Sequence, residues 1–328
     1  YEMAQIVAKA MAKGANVDKL AAEFADELDN LGVRVANLEK KADNVKITGE
    51  TKLRYWNYDG DLSDSDSTAL RSRIWVTGQV NEDWSYKGML ENIQSFTHSN
   101  SGEETTKFQR AYVTGKLGGV AVQAGRYGFT DFTGGNIYDT RMDGVQLAYG
   151  KDVKLTVGAG KAADYDGLVK KANNGSVADN MYYANLGAKI GVVDANVGYY
   201  KFTDVTAAIN QGANDSDIAI WTVGAAAPIA KDLKLGAQYL KSNMDEGGID
   251  DDGYVISLDY KGAKASQAGS WGMFAKYYDQ AAGTYIAHTM EALCHKEAQA
   301  NAVDADGFKG YMVGANYTFA KNIVGAVK

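Results

Sequence analysis

The sequence predicts an all-β transmembrane barrel of about 16 antiparallel strands, entered from an N-terminal α-helical coiled coil. Three observations predict it. Apolar residues recur by threes and fours up to Asn44, they alternate every second position from Val45 onward, and the links between alternating runs are short and long by turns. The expected organisation is a terminal helix at residues 1–14, a stalk at 15–44 and a barrel at 45–328.

The first helix, "YEMAQIVAKAMAK", has one apolar face and ends at Gly14. Beyond it, Val17, Ala21, Phe24, Leu28, Leu31, Val35, Leu38, Ala42 and Val45 make a seam whose steps alternate four and three. Ala21, Leu28, Val35 and Ala42 take heptad position a, while Phe24, Leu31, Leu38 and Val45 take d. A seam this narrow, flanked by charged residues, argues for a coiled coil, because a helix lying on a globular domain needs a wider apolar face. In "RVANLE", Arg34 falls at g and Glu39 at the following e, so they pair between helices while Val35 and Leu38 fill the core. The pattern resembles the trimer-specifying motif Arg–apolar–x–x–apolar–Glu, so a homotrimer is expected.

From Val45 the period becomes two. In "VKITGETKLRYW" the set Val45, Ile47, Thr51, Leu53, Tyr55 interleaves with Lys46, Glu50, Lys52, Arg54 and Trp56. A strand sends alternate side chains to opposite faces, so one face is mostly apolar and the other charged. "ALRSRIWVTGQV" repeats this with Leu70, Ile74 and Val76 against Arg71, Arg73 and Trp75. Similar runs continue to "NIVGAVK", about fifteen strands in all. Short turns such as "NED", "GKD" and "IAKD" take turns with long polar links such as "YDGDLSDSDST" and "THSNSGEETT", and Tyr and Trp gather near strand ends. A membrane barrel requires this, since every backbone group in lipid must be paired and aromatic rings settle at the two interfaces. A soluble sandwich does not combine so many strands with small residues on one face and charges on the other.

Composition narrows the function. The 328 residues carry a net charge of −7, which gives no basic field for nucleic acid, and the single cysteine excludes a disulfide framework or a cysteine-pair zinc site. The longest apolar run, Ile218–Ala230, is too short for a membrane helix, a test to which barrels are blind. Tyr1 already lies in a helix-like segment, and the last strand is cut at Lys328, so the chain reads as a fragment or processed form with a sixteenth strand beyond it.

"FQRAYVTGKLGGVAVQAGRYGFTDF" (Phe108–Phe132) resembles the strand-turn-strand signature of sixteen-stranded trimeric diffusion porins, and Tyr1–Lys13 resembles the last helix of an S-layer homology domain. Together with the stalk, these resemble the OmpM-type porins of the bacterial outer membrane. The resemblance implies a porin-like barrel for passive diffusion of small hydrophilic solutes. It also implies a periplasmic stalk that tethers the membrane to peptidoglycan or another cell-wall polymer, and contact with lipopolysaccharide. The third outer loop, Gly128–Arg141, would fold into the lumen with Asp131 and Asp139 as its acids, facing a basic wall of Lys52, Arg54, Arg71, Arg73, Arg110 and Arg126. Such an arrangement sets a transverse field across the constriction. A plugged barrel serving only as a structural tether is the second reading.

Other signals point nowhere. The acidic stretches at Asp59–Ser67 and Asp245–Asp252 read as solvated loops, the first having Leu70 where an EF-hand needs Glu. Residues 282–306 read as a loop with room for a short helix, where His288, Cys294 and His295 make a poor metal set. No catalytic constellation, cofactor or metal site is expected.

Overall fold

Fifteen strands, each hydrogen-bonded to its neighbours in the chain, build a single antiparallel sheet. The computed structural model describes residues 5–6, 9–10, 45–59, 65–97, 106–163, 178–205, 216–244, 250–286 and 307–328. Contacts divide the chain into two units, Tyr1–Lys46 and Ile47–Lys328. In the first, residues 5, 6, 9 and 10 are helical. The expected stalk, with Leu28, Leu31, Arg34, Val35, Leu38 and Glu39, lies outside the described residues.

The sheet opens with β1 (Val45–Tyr58), β2 (Ser65–Gln79), β3 (Ser85–Ser95) and β4 (Lys107–Leu117). It continues through β5 (Val120–Thr130), β6 (Asp139–Gly150), β7 (Val153–Ala163), β8 (Asn180–Ile190) and β9 (Val193–Val205). The remainder is β10 (Ser216–Ala230), β11 (Leu233–Ser242), β12 (Asp252–Lys261), β13 (Trp271–Gln280), β14 (Phe308–Ala320) and the short β15 (Ile323–Val327). Against the expected sixteen, the described residues contain these fifteen. Lys52 of β1 and Lys328 after β15 are close enough to repel one another, so the two ends of the strand order approach.

Tight turns join alternate pairs. Gly118, Gly191, Asp232 and Asn322 hold positive φ at 58°, 63°, 63° and 65°, as two-residue hairpins require for their twist to match the strands. Proline lacks the N–H a ladder needs. The single proline, Pro228, sits where the β10–β11 register slips.

The two faces can be followed by register, because directly paired residues share a face. One row runs Thr77, Lys87, Tyr112, Gly125, Gly144, Gly160, Met181, Phe202 and Ile218 across β2 to β10. Met181, Phe202 and Ile218 are fully buried, so this is the inner face. The interleaved residues Val145, Leu147, Val197, Trp221, Val223, Ile256 and Val313 are exposed and apolar, and form the outer face. On that outer face, ion pairs Lys201–Asp217, Lys241–Asp251 and Lys309–Asp279 sit at the strand ends that adjoin the long connections. Tyr149, Trp271, Tyr317 and Phe319 lie near the short-turn ends.

Candidate functional site

The connection between β5 and β6 is too short to be slack and is bound on nearly every side. Asp131 organises it. One carboxylate oxygen accepts from the backbone N–H of Thr133 at 2.7 Å and from its hydroxyl; the other accepts from the N–H groups of Ile137 and Tyr138, both at 2.8 Å. Burial pushes the Asp131 carboxyl up from its ordinary range, and these donors oppose that shift. Asn136 adds a bond from Nδ2 to the Thr133 carbonyl at 2.8 Å. The loop is thus a preformed knot before it touches anything else.

It is then tied to distant strands. The Phe132 N–H donates to the Tyr200 hydroxyl at 3.0 Å, and Asn196 Nδ2 donates to the Phe132 carbonyl at 3.2 Å, both partners on β9. Gln280 at the end of β13 donates from Nε2 to the Asn136 carbonyl at 3.1 Å. The Ile286 N–H, just past a 3₁₀ turn at Ala282–Thr284, donates to the Ile137 carbonyl at 2.9 Å. Residues so far apart along the sheet can share one loop only if it crosses the inner side. Ile137 and Tyr138 pack there with Tyr127, Phe129, Tyr183, Tyr200, Phe202, Ile218, Ile220, Leu240 and Tyr278 in one buried cluster. Phe129 and Tyr183 have ring centroids 4.6 Å apart. Tyr183 lies over Gly158, where an added Cβ would meet its ring at 2.3 Å, so glycine there makes room for the aromatic layer.

The first four strands carry a different inner face. Glu50 accepts from Arg71 and Arg73, each at 3.3 Å, and Arg73 also bonds buried Glu91 at 2.6 Å. Lys52 and Arg54 belong to the same alternate set of β1 as Glu50, with Arg54 over the Trp56 ring at 4.3 Å. Arg110 pairs in register with Met89 and lies 5.4 Å over the Trp75 ring. Lys87, not singled out in the sequence, belongs to the inner row beside Tyr112; the alternation of β3 held the signal, weakened by Met89 and Glu91 on that face.

Two expected residues stand elsewhere. Arg126 is the neighbour of inner Gly125 and therefore faces outward, in the row Ala111, Arg126, Asp143, Lys161. It grips Asp143 with two bonds of 2.7 and 2.5 Å. Asp139 pairs with Thr130 at the start of β6 and accepts from its hydroxyl at 2.6 Å. Asp131 is on the loop as expected, but only 3% exposed and turned to the loop's own backbone. Lys52, Arg54, Arg71, Arg73 and Arg110 do come together. Among the described residues no cluster of metal-ligating side chains occurs.

The arrangement can narrow a water-filled passage: a rigid loop on one side, a cationic wall on the other, and a polar remainder at Gln146, Asn185 and Thr222. No protein-family model and no curated protein matches the chain. Among solved structures it is similar to OmpF of Salmonella typhi in complex with daunomycin. The TM-score is 0.54 at 12% identity, covering 86% of this chain and 88% of that one. A variant of the Rh. blastica porin gives 0.50 at 16% identity, covering 86% and 92%. A loop-deletion variant of OmpT, an outer membrane protein of Vibrio cholerae, gives 0.50 at 16%, covering 85% and 90%. The fold of this chain is therefore the antiparallel barrel fold of the porins.

Proposed function

We propose that the chain is an outer-membrane porin through which small hydrophilic solutes diffuse. The observation that carries this reading is the loop 131–138, folded to the inner side of the sheet and bound at β9 and β13 opposite a charged wall. The outer face supports the membrane setting. It is an apolar band bordered by Tyr182, Tyr199, Tyr254 and Tyr277 with paired charges at one end and by Tyr149, Trp271 and Tyr317 at the other. Rings and snorkelling charges at the borders of an apolar band suit a bilayer. In this reading the chain is a homotrimer held by its periplasmic stalk, which links the outer membrane to peptidoglycan or another wall polymer, while the outer rim meets lipopolysaccharide. No enzymatic chemistry is assigned.

A second reading, the plugged tether, is favoured by one feature. The 3₁₀ segment and the β5–β6 loop meet each other inside the sheet, through Gln280 and Ile286, and fill part of the interior. Single-channel recording of the purified protein in a planar bilayer separates the two. Stable conductance closing in three equal steps is expected of the trimeric porin. Inserted protein that passes no current overturns it in favour of the tether.

A further inference from the structure

We propose that the inner wall of β1–β4 is an oxyanion filter that favours small solutes bearing carboxylate or phosphate groups, with Lys52, Lys87 and Arg110 as its free cations. The inference rests on the porin reading and adds the solute class to it.

Three observations converge. First, the wall's two carboxylates are already spent: Glu91 is buried against Arg73, and Glu50 is shared by Arg71 and Arg73. Lys52, Lys87 and Arg110 have no ion pair among the described residues, and the Nε atoms of Arg71 and Arg110 are buried without an acceptor there. These cations are crowded, since Lys52 lies within electrostatic reach of Arg54, Arg71 and Arg73, and Arg110 within reach of Arg73 and Arg141, with Glu91 the carboxylate that Arg73 and Arg110 share. Second, the opposing loop brings no charge to meet them. Asp131 is enclosed by its own backbone donors, and the rest of the loop from Phe132 to Tyr138 is neutral. Third, a carboxylate and a lysine do meet on the inner face further along the sheet, where Lys234 pairs with Asp194 at 2.9 Å.

Among its described residues, a chain of net charge −7 therefore places an excess of positive charge along one side of its interior. Like charges held in a low-dielectric wall raise the local concentration of counter-ions. Arg110, with its planar fork fixed over Trp75, suits the paired oxygens of a carboxylate or phosphate, and the two lysines supply mobile point charges beside it.

The test is the reversal potential of the full chain in a planar bilayer under a KCl gradient, with potassium phosphate and potassium acetate in separate arms. Chloride permeability should exceed potassium permeability, by on the order of tenfold at low salt. The preference should shrink toward 1 M salt, where the Debye length falls to about 3 Å. Added phosphate or acetate should reduce the chloride current, and whichever reduces it more identifies the preferred oxyanion geometry. Changing Lys52→Gln, Lys87→Gln and Arg110→Gln together should bring the permeability ratio near one with the channel still open. A conducting wild-type channel without anion preference overturns the filter and leaves the porin reading intact, whether or not the triple variant folds. Inserted protein that stays silent overturns the porin reading itself, and the filter with it.

Discussion

Strands β1–β4 and β8–β13 belong to one sheet and share an outer face of the same kind, with Ile47, Leu53 and Ile74 on one side and Val197, Val223 and Ile256 on the other. Their inner faces differ most where the loop 131–138 docks. The first is charged and bears Glu50, Arg71, Arg73 and Arg110; the second is aromatic and aliphatic under the loop, with Tyr200, Phe202, Ile218 and Ile220 at zero exposure, and polar beyond it, as at Lys234 and Asp194. The difference lies in what faces each wall. Where the loop 131–138 docks, water is excluded, and each large apolar side chain stabilises the docked state by about 1.5–3 kcal/mol when fully buried. Where no described residue docks, the wall can hold charges that would be costly under the loop.

Removing the loop's organiser should collapse this contrast most. Asp131→Ala leaves three backbone N–H groups and the Thr133 hydroxyl without their acceptor, at about 1–3 kcal/mol for each buried group left unsatisfied. The expected result is a larger single-channel conductance, with uptake of bulkier sugars in liposome-swelling assays; unchanged values would mean the loop does not set the aperture. Next in size, Arg71→Glu with Arg73→Glu inverts the charged wall around Glu50 and Glu91, and the reversal potential should move toward cations. If it stays put, these arginines do not line the ion path. A smaller effect is expected from Tyr200→Phe, which deprives the Phe132 N–H of its acceptor for about 1–3 kcal/mol. Current noise should rise while mean conductance changes little, and a quiet channel would show that β9 does not restrain the loop. Least of all, Arg126→Met with Asp143→Met should leave selectivity untouched, because this pair is on the outer face. A shifted reversal potential would contradict the register.

Most of the sheet could be read from the alternation alone, since a half-buried strand with one face in water and one in apolar surroundings writes its period into the sequence. Even the weak run Trp84–Gln94 corresponds to β3. The apolar run from Ile218 to Trp221 breaks the alternation for a visible reason: both faces of β10 meet apolar partners, the docked loop inside and the outer band outside. The expected loop, Gly128–Arg141, shortens to 131–138 because both strands pair up to Thr130 and Asp139. Arg126 follows Val122 and Ala124 in the same alternate set, so parity and charge pointed to opposite faces, and parity decided its position. The burial of Asp131 left no trace in the sequence. An aspartate that caps its own loop and one that faces a channel look alike until the backbone donors of Ile137 and Tyr138 are placed.

The bond from Gln280 to Asn136 joins residues 144 positions apart, whereas every strand in the sheet pairs with its neighbour in the chain. Neighbouring hairpins can form in order of synthesis with little loop entropy lost at each step, but a contact of such long range must wait for the later strand. The docking of the loop is consequently completed late in assembly. Until β13 arrives, the loop knotted by Asp131 is held by the strands before it, through Tyr138 to the Ala163 carbonyl of β7 and Phe132 to Tyr200 of β9, and the contacts through Gln280 and Ile286 form when the wall behind it is nearly finished.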